Sequence, residues 1–191
     1  MRPFVAAAIL ALASSAAACV GTAQTRAPTD SPAPAATPAP AYAAGDSGAP
    51  AWLVADAAAK TVTIALQVTR GPDGDALING HHKGELQIVV PLNWTVQWDW
   101  RNADATAPHS LVVMAEREKL PTEGGRAAFT NAMSRSVTAG LPAGQGDRTT
   151  FTADEAGWYW LLCGVPSHAI GGEYLGLRVD PEAKTASVKQ K

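Results

Sequence analysis

Short stretches in which apolar and polar residues alternate dominate residues 51–180, and no helical periodicity competes with them. In residues 61–69 the even-numbered positions are Val, Ile, Leu and Val, and the odd-numbered ones are Thr, Ala and Gln. Because successive side chains of a strand point to opposite faces, this alternation predicts strands with one buried face. Similar stretches, most of them followed by turn residues, occupy positions 86–90, 96–100, 109–114, 149–151, 158–163 and 174–179. About seven or eight such strands predict an all-β fold, an antiparallel sandwich or barrel.

Two regions depart from this alternation. Residues 115–148 form a long connection with several Gly and Pro residues, and a connection of this length is expected to cover or contact something. Its middle, residues 126–134, is predicted to form a short helix. Residues 181–191 are largely polar and are predicted to be a frayed tail.

The first residues have the pattern of an export signal. Arg2 gives a positive charge, residues 4–13 are apolar, and small residues lead up to Cys19. The apolar stretch is too short for a membrane span, so we expect residues 1–18 to be a cleaved signal peptide. Small residues before a cysteine resemble the bacterial lipoprotein signal, in which Cys19 becomes the lipidated N-terminus. Ordinary cleavage after an alanine is the alternative, because Ala16 stands where that signal usually has leucine.

Residues 19–50 are predicted to be a disordered linker. They consist mainly of Ala, Pro, Thr, Ser and Gly, with prolines at positions 28, 32, 34, 38, 40 and 50. Such a segment cannot bury enough apolar surface to offset its ordering entropy. Behind a lipid anchor, it would let a domain formed by residues 51–180 reach partners above the membrane.

The charge of the chain limits its partners. The formal net charge is -2 at pH 7, and no cluster of Lys and Arg stands out. This excludes the basic surface that nucleic acid or an anionic membrane would need. We expect a monomer that contacts proteins and a metal ion, and that reaches the membrane only through its lipid anchor.

One cysteine outside the export signal lies in a pattern typical of metal ligands. Cys163 is followed by a Gly-Val-Pro-Ser turn and His168, and His109 lies upstream at the start of another predicted strand. If Cys19 is lipidated, Cys163 has no disulfide partner, and a free thiol in an oxidising compartment is a liability unless it is buried or bound to metal. One thiolate with two imidazoles is the ligand set of blue copper sites, whereas zinc usually takes a fourth strong ligand. We therefore predict a mononuclear copper site; the alternative is that Cys163 is a small buried apolar residue.

The sequence around these residues resembles a known family. The segment GWYWLLCGVPSHA at 157–169, with PHS upstream at 108–110, resembles the cupredoxins and, within them, the sulfocyanin group. The resemblance extends over most of 52–179 and includes VVPLNW at 89–94 and GLPAG at 140–144. It implies a Greek-key β-sandwich that binds one copper ion.

The resemblance also implies roles for individual residues. His109, Cys163 and His168 match the equatorial copper ligands. Ser110 follows the first ligand, where cupredoxins use a backbone N–H to hydrogen-bond the thiolate. That contact would join the two ligand loops and tune the copper.

The fourth ligand position departs from the sulfocyanin pattern. Glu173 stands five residues after His168, where the pattern has an axial methionine. In a first reading its carboxylate binds copper and favours Cu(II), which lowers the reduction potential and shifts the colour away from blue. The nitrosocyanins, whose red copper has a glutamate ligand, resemble this case. In a second reading Glu173 is protonated in an apolar pocket and binds weakly or not at all. In a third it points into solvent. Met114 falls on the strand face opposite His109 and Met133 lies in the long loop, so neither is expected to replace it.

Electron transfer is the predicted function. A buried Cys–His–His site with a fourth side chain has no open position for substrate, and the electron would leave along the exposed edge of the His168 imidazole. The expected partner is a redox protein at the outer face of the membrane or in the periplasm, such as a respiratory-chain component. The alternative is a red or type-2-like catalytic or ligand-binding protein in which Glu173 moves aside for a small ligand. Copper storage or delivery is expected to need more Met or Cys residues than this domain has.

Two other pairs of residues have simpler interpretations. His81 and His82 occupy a turn between strands and are expected to be solvated, not to bind a surface metal. Trp158 and Trp160 fall on the strand face opposite Cys163 and are predicted to be covered by the long loop. A docking patch or an electron path is the alternative for the two tryptophans.

Overall fold

The structure is a computed structural model that describes residues 49–117 and 119–191. Strands form the regular structure of this part of the chain, and no helix occurs in it: β1 Leu53–Asp56, β2 Thr61–Arg70, β3 Ala76–Ile78, β4 Leu86–Pro91, β5 Thr95–Asn102, β6 Val112–Ala115, β7 Gly146–Thr152, β8 Gly157–Leu162, β9 Tyr174–Asp180 and β10 Ser187–Gln190. The predicted signal peptide, Cys19 and all but the last two residues of the predicted linker lie outside the described residues. Within them, no helix is long and apolar enough to span a membrane.

The strands form two sheets. One has the order β1-β2-β5-β7, with β3 also paired to β2, and the other has the order β10-β4-β9-β8-β6. The all-β prediction is therefore confirmed. The structure differs from the predicted antiparallel arrangement of about seven or eight strands in two details: there are ten strands, and β2 pairs with β5, and β4 with β9, in parallel. Between β2 and β5 the chain crosses to the second sheet to form β4, and a connection of this kind brings the next strand back in the same direction.

The core lies between the two sheets and contains the apolar positions that the alternation predicts. The even-numbered side chains of β2 from 62 to 68 are at most 2% exposed, and Trp98 and Trp100 of β5 are 1% exposed. Trp98 packs edge-on against Phe151, with ring centroids 5.6 Å apart, and Phe151 stacks on Phe129 from the long loop. Burial of one large apolar side chain stabilises a fold by about 1.5–3 kcal/mol. These aromatic contacts therefore hold the first sheet and the long loop in one core.

The long loop between β6 and β7 contains no helix among its described residues, so the helix predicted at 126–134 is wrong. Its backbone pairs with the chain next to it instead. The N–H of Ala128 donates to the carbonyl of Val113, and the N–H of Val113 donates to the carbonyl of Ala132. Asn131 has a φ of 65°, which a helix does not allow. The expectation that the loop covers part of the domain is confirmed, because its apolar residues pack on the outer face of the second sheet.

Residues 181–191 are not a frayed tail, and this prediction is also wrong. Residues 187–190 form β10, which pairs antiparallel with residues 86–89 of β4. Every residue of β4 is buried, so its outer edge needs a partner for its backbone groups. Ala186 joins the core immediately before β10. The alternation in this short strand is too weak to reveal its pairing.

Candidate metal centre

A tight loop at the end of the second sheet carries three of the predicted ligands. Cys163 directly follows β8, and its N–H donates to the carbonyl of Glu173, which directly precedes β9, at 3.0 Å. Within the loop, the N–H of Glu173 donates to the carbonyl of His168 at 3.0 Å. Ser167 has a φ of 70°, in the left-handed region, where the chain turns back. The loop therefore closes the β8–β9 hairpin and brings three side chains together from eleven consecutive residues (163 to 173).

His109 comes from the connection between β5 and β6. It does not start a strand, because β6 begins only at Val112. Instead it exchanges both backbone hydrogen bonds with Leu141 of the long loop, at 3.1 and 2.7 Å. Gly140, with a φ of 74°, has no room for a side chain, since a Cβ there would lie 3.0 Å from the His109 nitrogen. The position of His109 thus depends on a close approach between two distant segments.

The four side chains bring one donor atom each to a common point. The donor atoms of His109, Cys163, His168 and Glu173 all lie within 4.8 Å of one another. Glu173 Oε2 is 2.8 Å from His109 Nδ1 and 3.1 Å from His168 Nδ1. Cys163 Sγ is 3.5 Å from His168 Nδ1 and 4.0 Å from His109 Nδ1. The distances place sulfur, nitrogen and oxygen around a space that one ion can occupy.

Burial separates the four residues into two kinds. His109 and Cys163 are fully buried, and Glu173 is 2% exposed. The His168 side chain is 26% exposed. The third reading of Glu173, in which its carboxylate points into solvent, is therefore wrong. Glu173 Oε1 is buried and has no hydrogen-bond partner within the described residues, as expected of an oxygen that faces a metal.

The Cys163 sulfur is held by Ser110, as the resemblance implies. The backbone N–H of Ser110 donates to Cys163 Sγ at 3.4 Å. The Ser110 hydroxyl accepts a hydrogen bond from the N–H of Gly164 at 2.9 Å and donates to the carbonyl of Val137. Burial, together with the charge of Glu173, raises the pKa of the Cys163 thiol to about 12. A metal that binds here therefore displaces a proton from the thiol at neutral pH.

The far side of the His109 ring meets Asp104, which the sequence patterns did not identify and which is itself held by Arg70 and Thr106. His109 Nε2 lies 2.9 Å from Asp104 Oδ2, and the same oxygen accepts a hydrogen bond from the Arg70 guanidinium. Thr106 donates to the other oxygen from both its N–H and its hydroxyl, at 2.8 and 2.6 Å. Burial acts to raise the pKa of Asp104, but the hydrogen bonds from Thr106, His109 and Arg70 outweigh it and hold the pKa well below its usual range. Asp104 lies in an Asn-Ala-Asp sequence at 102–104 that, in the sequence alone, is typical of a turn after a strand.

A cavity of about 220 Å³ lies beside the four donor residues. His109, His168 and Glu173 form part of its wall, and Arg70 and Asp75 form another part. The cavity therefore borders the partly exposed His168 as well as the buried His109 and Glu173.

Comparison with known proteins decides the family. The family model of the Sulfocyanin (SoxE) domain matches residues 49–187. The chain belongs to the sulfocyanin family. The match includes all four donor residues and every strand except β10, of which it reaches only the first residue, Ser187.

Solved structures show more distant similarities to this sulfocyanin. The structure of reduced rusticyanin is 17% identical, with a TM-score of 0.44 over 63% of this chain and 85% of that one. Rusticyanin from Thiobacillus ferrooxidans is 18% identical, with a TM-score of 0.42 over 63% and 82% of the two chains. Dithionite-reduced auracyanin from the photosynthetic bacterium Roseiflexus castenholzii is 19% identical, with a TM-score of 0.43 over 62% and 97%. No curated protein matches the chain.

The cofactor of this sulfocyanin is one copper ion, and the residues present fit it. A thiolate with two imidazoles suits both oxidation states of copper, and the buried carboxylate of Glu173, whose Oε1 has no hydrogen-bond partner among the described residues, would offer a fourth donor. Both histidines turn Nδ1 toward the shared space, and His109 has a carboxylate on its other nitrogen, as metal-bound histidines usually do.

The remaining candidate residues of this sulfocyanin lie elsewhere. Met114 Sδ accepts a hydrogen bond from the N–H of Gly125, and Met133 packs on the outer face of the second sheet. His82 lies between the carboxylates of Asp75 and Glu85. His81 and His82 are not in the one group of possible metal ligands found among the described residues.

The two tryptophans differ from each other. Trp160 is 8% exposed and packs in the apolar cluster that the long loop covers, as predicted. Trp158 is 49% exposed, so the prediction that the loop covers it is wrong. The Arg178 guanidinium lies 4.9 Å from the centre of its ring and the Lys191 ammonium 5.7 Å, so cationic side chains flank it instead.

Proposed function

We propose that this sulfocyanin is a one-electron carrier whose copper is held by His109, Cys163, His168 and Glu173. The observation that carries the proposal is the convergence of these four donor atoms within 4.8 Å, in a site where three of the four residues are at most 2% exposed. When bound, copper supplies a Cu(I)/Cu(II) couple. The residues around it hold the ligands in place and exclude water, which suits electron transfer better than substrate turnover.

The exposure of the ligands supports a single route for the electron. The His168 side chain is 26% exposed, while His109, Cys163 and Glu173 are buried. The edge of the His168 imidazole is therefore the shortest connection between the site and a docked partner. The anionic oxygen of Glu173 in place of methionine favours Cu(II), so we expect a lower potential than the methionine pattern gives.

The proposal is tested on the copper-loaded chain. We expect one copper per chain by elemental analysis and a reversible one-electron couple by spectroelectrochemical titration. C163S should lose the thiolate-to-copper absorption band. H82A, which removes a histidine outside the site, should retain it. A wild-type chain without a reversible couple would contradict the assignment as a carrier.

We also propose that the protein is exported and anchored through Cys19. The apolar stretch at 4–13 and the small residues before Cys19 support this. The partner would then be a redox protein at the outer face of the membrane or in the periplasm. Expression with and without C19A, followed by membrane fractionation and mass analysis of the mature N-terminus, tests it. Membrane retention of C19A would contradict lipid anchoring.

A second candidate function is the binding of a small ligand at the copper. The cavity of about 220 Å³ favours it, because His109, His168 and Glu173 form part of its wall and Glu173 Oε1 has no hydrogen-bond partner among the described residues. Titration of the oxidised, copper-loaded protein with azide separates the two functions. An unchanged copper spectrum supports the carrier, and a saturable shift of the spectrum supports the ligand-binding protein.

A further inference from the structure

The His109 ring is held on both of its nitrogens. Nδ1 lies 2.8 Å from Glu173 Oε2, on the side of the metal donors, and Nε2 lies 2.9 Å from Asp104 Oδ2, on the opposite side. The ring is fully buried, so no water competes for Nε2. With both nitrogens engaged, the ring can neither rotate nor flip without losing a buried hydrogen bond.

Asp104 is built to remain a fixed acceptor. Its side chain is fully buried, and its two oxygens together accept from His109, Arg70 and Thr106. Its own N–H donates to the side-chain oxygen of Asn102 at 2.9 Å. The Asn102 amide in turn donates to the carbonyl of Leu141, which lies opposite His109, at 2.9 Å. Asp104 is thus fixed to the same two segments that position His109.

Arg70 balances the charge of this carboxylate. It ends β2 in the first sheet, and its guanidinium donates to Asp104 Oδ2 and to the carbonyl of Gly74. Its side chain is 35% exposed and forms part of the cavity wall beside the site. A pair of this kind, with one partner buried, is screened much less than a surface ion pair.

We propose that Asp104 and Arg70 are positioning residues that orient the His109 ring and, through their opposite charges, set the potential of the copper, an inference that rests on the proposed electron-transfer function. The carboxylate accepts a hydrogen bond from the Nε2–H, makes the imidazole a stronger donor and favours Cu(II). The guanidinium offsets that negative charge and favours Cu(I). The two residues therefore act on the potential with opposite signs.

The experiment measures the midpoint potential of the copper-loaded full chain in four variants. D104N keeps an oxygen acceptor for Nε2 but removes the charge, so the potential should rise. R70Q removes the balancing charge, so the potential should fall, and R70K should restore it. D99N, which breaks a surface ion pair with Arg148, is the control and should leave the potential unchanged. We expect D104N and R70Q each to change the Cu(I)/Cu(II) ratio about tenfold at a fixed potential, which is about 59 mV for one electron.

A second measurement tests orientation separately from charge. Transfer of copper to an external chelator should be about 10–100-fold faster from D104A than from wild type, because the acceptor itself is lost. Shifts of opposite sign in D104N and R70Q, with rescue by R70K, support the proposal. Shifts of the same sign, or no shift, beside a normal wild-type couple would overturn the inference and leave the carrier function standing. A wild-type chain that binds copper without a reversible couple would overturn both.

Discussion

Substitution of Ser110 tests whether the two ligand segments are joined as the structure indicates. In S110A the backbone N–H that donates to Cys163 Sγ remains, and only the hydroxyl is lost. That hydroxyl accepts from the N–H of Gly164, which is buried, and donates to the partly buried carbonyl of Val137. The variant therefore removes the link between the Cys163 loop, the His109 segment and the long loop, together with the 3.9 Å contact of the hydroxyl with Cys163 Sγ, without substituting a ligand.

The expected magnitude follows from these two hydrogen bonds. A buried N–H left without an acceptor costs about 1–3 kcal/mol, and the loss of a partly buried hydrogen bond costs about 0.5–1.5 kcal/mol. The sum is about 1.5–4.5 kcal/mol, which lowers the Tm of a domain of this size by on the order of 10 °C. We expect this loss in the metal-free chain, where copper binding does not add to the stability.

Ser134 offers a matched control for this measurement. Its hydroxyl accepts one buried hydrogen bond, from the N–H of Leu111 at 3.0 Å, and does not contact Cys163. In denaturant unfolding, S134A should lose less stability than S110A. After copper loading, S134A should have the wild-type absorption spectrum, whereas the spectrum of S110A should shift. A loss below about 0.5 kcal/mol in S110A, or a loss no larger than in S134A, would refute the reasoning.

Three further predictions concern neighbouring parts of the molecule. G164A should weaken copper retention in a chelator assay, because a Cβ at position 164 would collide with Val137. G125A is the control and should retain copper as the wild type does, because a Cβ at position 125 would meet only a methionine methyl group at 3.3 Å. In the metal-free chain, Cys163 should react with a thiol reagent more slowly than a free exposed thiol, because its pKa is raised to about 12. The reaction rate should increase about tenfold for each pH unit between 7 and 10, and a rate independent of pH would contradict this. Deletion of residues 187–191 should lower stability by about 2–4 kcal/mol in thermal unfolding, because it exposes the edge of β4; an unchanged Tm would contradict the pairing of β10.

Local patterns in the sequence were sufficient to predict seven of the ten strands and three of the four donor residues, His109, Cys163 and His168. The period of two in β2 and β5 reports directly which side chains are buried, and Cys163, His168 and Glu173 lie within one short loop. The contacts of such a loop depend on residues close together in the chain, so their spacing carries the information. Glu173 was considered as a ligand only because it stands where the family pattern has methionine.

Contacts between distant segments could not be predicted in this way. Arg70 and Asp104 come from the end of β2 and from the connection after β5, and neither lies in a pattern that names the other. The helix expected at 126–134 failed for a related reason, since pairing with the segment around Val113 satisfies the backbone groups that a helix would have satisfied. The parallel pairs β2–β5 and β4–β9 likewise depend on crossovers between sheets, which alternation does not report.

The spectrum of the copper-loaded chain, compared with that of E173Q, tests the central claim most directly. If Cys163, His109, His168 and Glu173 together hold the copper, the wild-type protein should bind one copper per chain with a thiolate-to-copper absorption band. E173Q, which removes the charge but keeps an oxygen, should shift that band and its EPR parameters and raise the potential. An intense blue band that is identical in wild type and E173Q would contradict the role of Glu173 as the fourth ligand, and a band retained in C163S would contradict the whole site.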